Sequence, residues 1–158
     1  MADSASLEGW NRQDVLSALE ATMSSDVDSA RQQFYNLKGS LEGESKSTAG
    51  DKHETGRAMV QLEMEQAANR LSRLEGMMRD WSRLQPELGR KDVRPGALVD
   101  TSMGCFVIGV AWGAFNLREG AAWRAIGSDA PIALAMSGME AGSVIDFRGR
   151  SVVIHAVA

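Results

Sequence analysis

A chain of 158 residues holds one ordinary domain or two small ones and excludes a large multidomain enzyme. Its 44% hydrophobic and 24% charged residues are a globular composition, and a net charge of -4 argues against a main affinity for a polyanionic backbone, leaving any nucleic-acid contact local or indirect. One cysteine, Cys105, excludes an internal disulfide, and two histidines, His53 and His155, leave a structural zinc site short of ligands.

In chain order, Met1-Ala2-Asp3-Ser4 shows neither the basic region nor the apolar run of a secretory signal, and with the lone cysteine this points to a reducing cytoplasm. From Leu16 the apolar positions run Leu16, Leu19, Met23, Val27, Ala30, Phe34, Leu37, Leu41, in steps of 3 and 4. Such alternation is the seam of a coiled coil, one stripe kept against a partner. Asn11 is placed to cap the helix, with Asp14 three residues on and Trp10 before it as a hydrophobic staple. A second stripe, Val60, Met64, Ala67, Leu71, Leu74, Met78, Trp81, ends ahead of Pro86 and Gly89. Between them, Gly43-Glu44-Ser45-Lys46-Ser47-Thr48-Ala49-Gly50 is a polar, glycine-bounded turn. Two matching seams joined by a short turn predict an antiparallel helical hairpin, roughly 40 Å long over the seam at about 1.5 Å per residue.

The hairpin's far end, near 44–57, concentrates charge: Glu44, Lys46, Asp51, Lys52, His53, Glu54 and Arg57. Asp51 and Glu54 are three apart at the start of the second helix. One reading is a capping box, Asp51 accepting from free backbone N–H groups while Glu54 reaches back, both charges favoured by the positive helix end. The other is that two carboxylates at the end of a long probe share a magnesium ion with a second macromolecule, since magnesium takes one or two protein carboxylates and leaves its remaining positions to water and phosphate. Both readings stand together.

Composition changes near Pro95-Gly96. Residues 1–94 hold 13 of the 17 Lys+Arg and 16 of the 21 Asp+Glu, and glycine with β-branched residues takes over in 95–158. Two domains are expected, 1–94 and 95–158. In the second, Ala97 to Thr101 is extended, Cys105 to Ala111 has the apolar, β-branched character of a buried strand, and Phe115–Leu117 and Ala122–Ile126 flank a turn at Arg118-Glu119-Gly120. Pro131 to Met136 is a short helix opened by proline and ended by Gly138, and Ser143–Phe147 and Ser151–Ala156 flank Arg148-Gly149-Arg150. About five strands with one short helix make a small β-rich module, and the whole chain is α+β. The most apolar window, Met103 to Phe115, is shorter than the ~20 residues of a membrane span, and no nucleophile triad or phosphate-binding glycine loop is present.

A long hairpin with an acidic tip followed by a small β module resembles the Gre transcription factors, bacterial proteins that act on RNA polymerase. Gly50-Asp51-Lys52-His53-Glu54 reproduces the Gly-Asp-x-x-Glu of the Gre tip, and the stretch from Ser47 to Ala58 is similar to the tip of one Gre-like branch. Ala130-Pro131-Ile132-Ala133-Leu134-Ala135-Met136-Ser137-Gly138 resembles the Ser-Pro-Ile-x-x-Ala-Leu-x-Gly segment of the family's FKBP-like domain. The resemblance implies a coiled-coil hairpin that enters the secondary channel of bacterial RNA polymerase and an FKBP-like domain that docks near the channel mouth through Pro131 and Ile132. It also implies that Asp51 and Glu54 help hold a magnesium ion shared with the polymerase, so that the polymerase itself cleaves backtracked RNA. Glu44, Lys52 and Arg57 would make further tip contacts. The protein would then be a monomeric cofactor, not an enzyme, touching nascent RNA only indirectly and no membrane. Thr55-Gly56-Arg57-Ala58 stands where many Gre factors carry Asn-Ala-Glu-Tyr, and Gly56 lowers helix propensity by roughly 1 kcal/mol relative to alanine, which predicts either a late helix start or a mobile tip. The alternatives are a Gre-like factor that occupies the channel and inhibits or modulates transcription without cleavage, a plain helical interaction adaptor, or a ligand-binding β module.

Overall fold

In the computed structural model, residues 10–44, 50–84, 91–117 and 120–158 are described, with the side chains of 44 and 50–53 outside that description. Two long helices, α1 (Arg12–Glu44) and α2 (Gly50–Arg83), precede β1 (Leu98–Thr101), β2 (Gly104–Ile108), β3 (Gly113–Asn116), β4 (Ala122–Ile126), α3 (Pro131–Met136), β5 (Val144–Phe147) and β6 (Arg150–Val157). The architecture is α+β. At 33 and 34 residues the helices are each about 50 Å long.

The chain divides into two compact units, Met23–Met78 and a second made of Met1–Thr22 with Arg79–Ala158. The first is the body of a helical hairpin. Met23, Val27 and Ala30 are buried, Phe34, Leu37 and Leu41 half-buried, and on α2 Ala67 is buried with Val60, Met64, Leu71, Leu74 and Met78 half-buried. That is the stripe expected from the 3 and 4 spacing. Arg31 donates to Glu75 at 3.1 Å, and Phe34 lines one small groove with Ala68, Leu71, Ser72 and Glu75, so the two helices face each other along this length. Gly43 and Glu44 belong to the last turn of α1, not to the connecting turn, whose residues 45–49 lie outside the described residues. Gly56 does not delay α2, which starts at Gly50 and runs through it.

The second unit is built on a six-stranded sheet of order β3-β4-β2-β1-β6-β5, one strand more than about five. All neighbours are antiparallel except β2 and β4, which run parallel with Cys105 opposite Trp123 and Val107 opposite Ala125. A strand paired this way is buried on both faces, which explains the unbroken apolar run of β2. On one face Val99, Phe106, Ile108 and Ile154 form a core with Val93 and with Ala133 and Met136 of α3. On the other, register and pleat group Leu98, Val107, Ala125, Trp123 and Phe115, all buried.

The ends of the long helices belong to this unit. Asn11 caps α1, its Oδ1 accepting from the Asp14 N–H at 2.8 Å. Trp10, expected as a local staple, meets Trp123 edge-on, with ring centroids 5.0 Å apart. Arg12 donates to the Gly96 carbonyl at 2.8 Å. Val15 is fully buried, whereas Leu16, expected to begin the seam, is half-buried. Stepping Val15, Leu19, Met23, Val27 by four turns the stripe slowly around the helix, because 3.6 residues per turn falls short of four.

The run Cys105 to Ala111 stops as a strand at Ile108 because Gly109 takes φ +132, where a Cβ would stand 2.6 Å from Leu84 and 3.4 Å from the Trp81 ring. Its N–H donates to the Ile126 carbonyl at 2.8 Å, beyond the last β2–β4 pair. At the opposite end of the chain, Arg148 and Gly149 alone form the β5–β6 turn, with φ of 53 and 78, and Arg150 pairs with Phe147. Positive φ at both central positions is the type I′ hairpin.

Candidate functional site

The sequence candidates fall in two places. At the far end of the hairpin unit, α1 ends at Glu44 and α2 begins at Gly50, so Gly50-Asp51-Lys52-His53-Glu54 forms the opening turns of α2. Positions three apart on a helix share a face, which places Asp51 and Glu54 side by side along α2. Glu54 and Arg57 are exposed, and Glu54 makes no ion pair with a described side chain. The side chains of Glu44, Asp51 and Lys52 lie outside the described residues, and with them the capping contacts expected of Asp51. Near the positive end of a helix a carboxylate is stabilised by roughly 0.3–1 kcal/mol.

The second place is α3. Pro131 opens it at the first helical turn, where its missing N–H leaves no bond unmade, and Pro131 is exposed. Ile132 is half-buried and packs against the sheet core beside Ala133 and Met136, so it has a structural task whether or not it meets a partner. Leu134, on the outward side, is 61% exposed. The tip and α3 belong to different units.

Two further groups in the sheet unit bear on chemistry. Asp100 is buried at 5% exposure and accepts from the Cys105 thiol at 3.4 Å. Burial, and then the neighbouring Asp100 carboxylate, push the Cys105 thiol up to about 12. A thiol held neutral in this way is a poor nucleophile. His155 is exposed on β6, as its alternation with apolar neighbours suggests. Among the described residues no three His, Cys, Asp or Glu side chains group as metal ligands, and no helix is long and apolar enough to cross a membrane.

The clasp at the base of the hairpin was not legible from spacing alone. Trp10–Trp123, Arg12–Gly96 and the Gly109 approach to Trp81 and Leu84 join residues up to 113 positions apart. The sequence signal was an aromatic before the cap and a glycine inside an apolar run. Neither names its partner.

No protein-family model matches the chain, and no characterised protein matches it in sequence.

Proposed function

We propose that this chain is a Gre-like transcription elongation factor that binds bacterial RNA polymerase, inserts the tip of its hairpin into the secondary channel, and stimulates cleavage of backtracked RNA by the polymerase active site. The observation that carries the reading is the position of Gly50-Asp51-x-x-Glu54: it opens α2 at the end of two helices about 50 Å long, long enough to act as a probe. The buried stripe along both helices supports a coiled-coil hairpin, and the small sheet carrying α3 supports an FKBP-like module that docks through Pro131 and Ile132.

In this reading Asp51 and Glu54 would hold magnesium shared with the polymerase, and the metal would supply charge stabilisation for phosphoryl transfer. The chain's own contribution is to bring two further carboxylates, and the water they orient, to the polymerase active site. Exposure of Glu54 without an ion-pair partner among the described residues leaves it available for that task. Lys52 and Arg57 set the tip against surrounding phosphates, and Glu44 makes a further tip contact. The chain is a monomeric cytoplasmic cofactor and has no catalytic centre of its own.

Thr55-Gly56-Arg57 in place of the family's acidic and aromatic residues favours a second reading, a factor that occupies the same channel and inhibits or modulates transcription without cleavage. Arrested elongation complexes with 3′-labelled RNA separate the two. Release of short 3′ fragments on addition of the protein is the expected result; binding with slowed extension and no fragments selects the inhibitor, and no binding to polymerase refutes both.

A further inference from the structure

The β5–β6 hairpin is built differently at its tip from what its fold requires. β1 pairs with residues 154–157 of β6, while β5 pairs with 150–153, so the last ribbon pairs, Asp146 with Ser151 and Phe147 with Arg150, reach past the end of β1. The turn that closes the ribbon is Arg148-Gly149, with Arg148 at φ 53. Type I′ turns favour asparagine, aspartate or glycine at that position, because other side chains are strained there. Arginine is therefore a choice that turn geometry does not explain, and residues held against local preference gather at functional positions.

What the arginine gains is orientation. Its guanidinium lies over the Phe147 ring, 5.1 Å from the centroid, and Arg148, Gly149 and Arg150 are all exposed. Neither Arg148 nor Arg150 has an acidic partner among the described residues, whereas Arg94 of the same unit is held by both carboxylate oxygens of Asp92. The ribbon's one acid, Asp146, alternates onto the face opposite Phe147 and Arg150. Residues 95–158 contain four arginines and no lysine. Arginine presents a planar fork that binds phosphate oxygens in pairs, where lysine is a rotating point charge.

We propose that the β5–β6 tip is an anion-binding fork that contacts the phosphodiester backbone of a duplex nucleic acid through Arg148 and Arg150. A two-stranded ribbon is of a width the major groove admits, and two adjacent forks match acceptors that repeat along a strand. Two contacts are a weak, local attachment, as a chain of net charge -4 requires. The fork rests on the sheet unit alone and does not depend on the reading of the hairpin tip.

The test is fluorescence anisotropy of a labelled DNA duplex titrated with the full chain between about 50 and 200 mM salt. The wild type binds with a log–log salt slope near -1.8, about -0.9 for each phosphate neutralised. Arg148→Asn, a better residue for the turn, holds or raises thermal stability while weakening binding about fivefold and reducing the slope by about 0.9. Arg148→Asn with Arg150→Thr removes salt-dependent binding, and Asp51→Asn/Glu54→Gln leaves it unchanged. The proposal is overturned by absence of salt-dependent binding in the wild type, by unchanged binding in the double arginine variant, or by loss of thermal stability in Arg148→Asn, which would make the arginine structural. Displacement of the duplex by polyglutamate at equal charge would also overturn it, in favour of an acidic protein surface.

Discussion

Gly109→Ala tests how the base of the hairpin is joined to the sheet. At φ +132 an alanine is strained whatever the surrounding space, by about 1–3 kcal/mol. Its Cβ would also stand 2.6 Å from Leu84 Cδ1 and 3.4 Å from the Trp81 ring. Crowding of this kind costs about 1–3 kcal/mol, at the lower end here because the near atom is the end of a flexible side chain. The total expected is about 3 kcal/mol. Gly113→Ala is the control: φ is +100, and nothing lies within 4 Å of the added atom, so it carries the strain without the collision. Urea unfolding followed by tryptophan fluorescence reads the right unit, because Trp10, Trp81, Trp112 and Trp123, the chain's four tryptophans, all belong to it. Gly109→Ala is expected to lose about 1 kcal/mol more than Gly113→Ala, and Leu84→Ala in the Gly109→Ala background to lose less than it does alone. Equal losses for the two glycine variants, with no coupling to Leu84, would refute the close approach of Trp81 and Leu84 to this strand end.

Replacing Arg31 by alanine removes the 3.1 Å pair with Glu75 on a partly exposed surface, so helix stability measured by far-UV circular dichroism should fall by no more than about 1 kcal/mol, and the difference should shrink in high salt. Trp10→Ala removes an aromatic pair worth about 0.5–1.5 kcal/mol beyond its buried area, and the loss should appear in tryptophan fluorescence at lower urea than in the wild type. Cys105 titrates in the folded chain near 12, above its ordinary value of 9.0. The fold therefore favours the neutral thiol, and this contribution is complete below pH 9 and is lost as pH rises through about 12. Alkylation by iodoacetamide at pH 9 should be slow in the native protein and fast in urea; equal rates would contradict the burial of the thiol against Asp100.

The helical half was legible because its signal is local: the 3 and 4 steps from Leu19 to Leu41 need no knowledge of the rest of the chain. The exception is Val15 against Leu16, adjacent apolar residues between which only the drift of the stripe decides. In the sheet, strand positions and α3 were legible from β-branching, glycine and the proline at 131, but pairing was not. Nothing in Cys105 to Ile108 says that it runs parallel to β4, or that β6 gives its second half to β1 and its first half to β5. Such pairings are fixed by burial of both faces at once, a property of the whole unit. The candidate tip was visible as charge spacing, and the helix start at Gly50 places its two acids on one face of α2. The arginine fork was hidden because Arg148-Gly149-Arg150 reads first as a turn, and its unusual feature is a backbone angle.

The central claim is that two tip carboxylates act inside the polymerase. Its most direct test is the rate of RNA cleavage in stalled elongation complexes, with wild type and Asp51→Asn/Glu54→Gln compared at limiting magnesium and polymerase binding measured in the same samples. The expected result is cleavage that the wild type accelerates and the variant does not, while both bind equally. Cleavage accelerated equally by both proteins, or by neither despite binding, would contradict it.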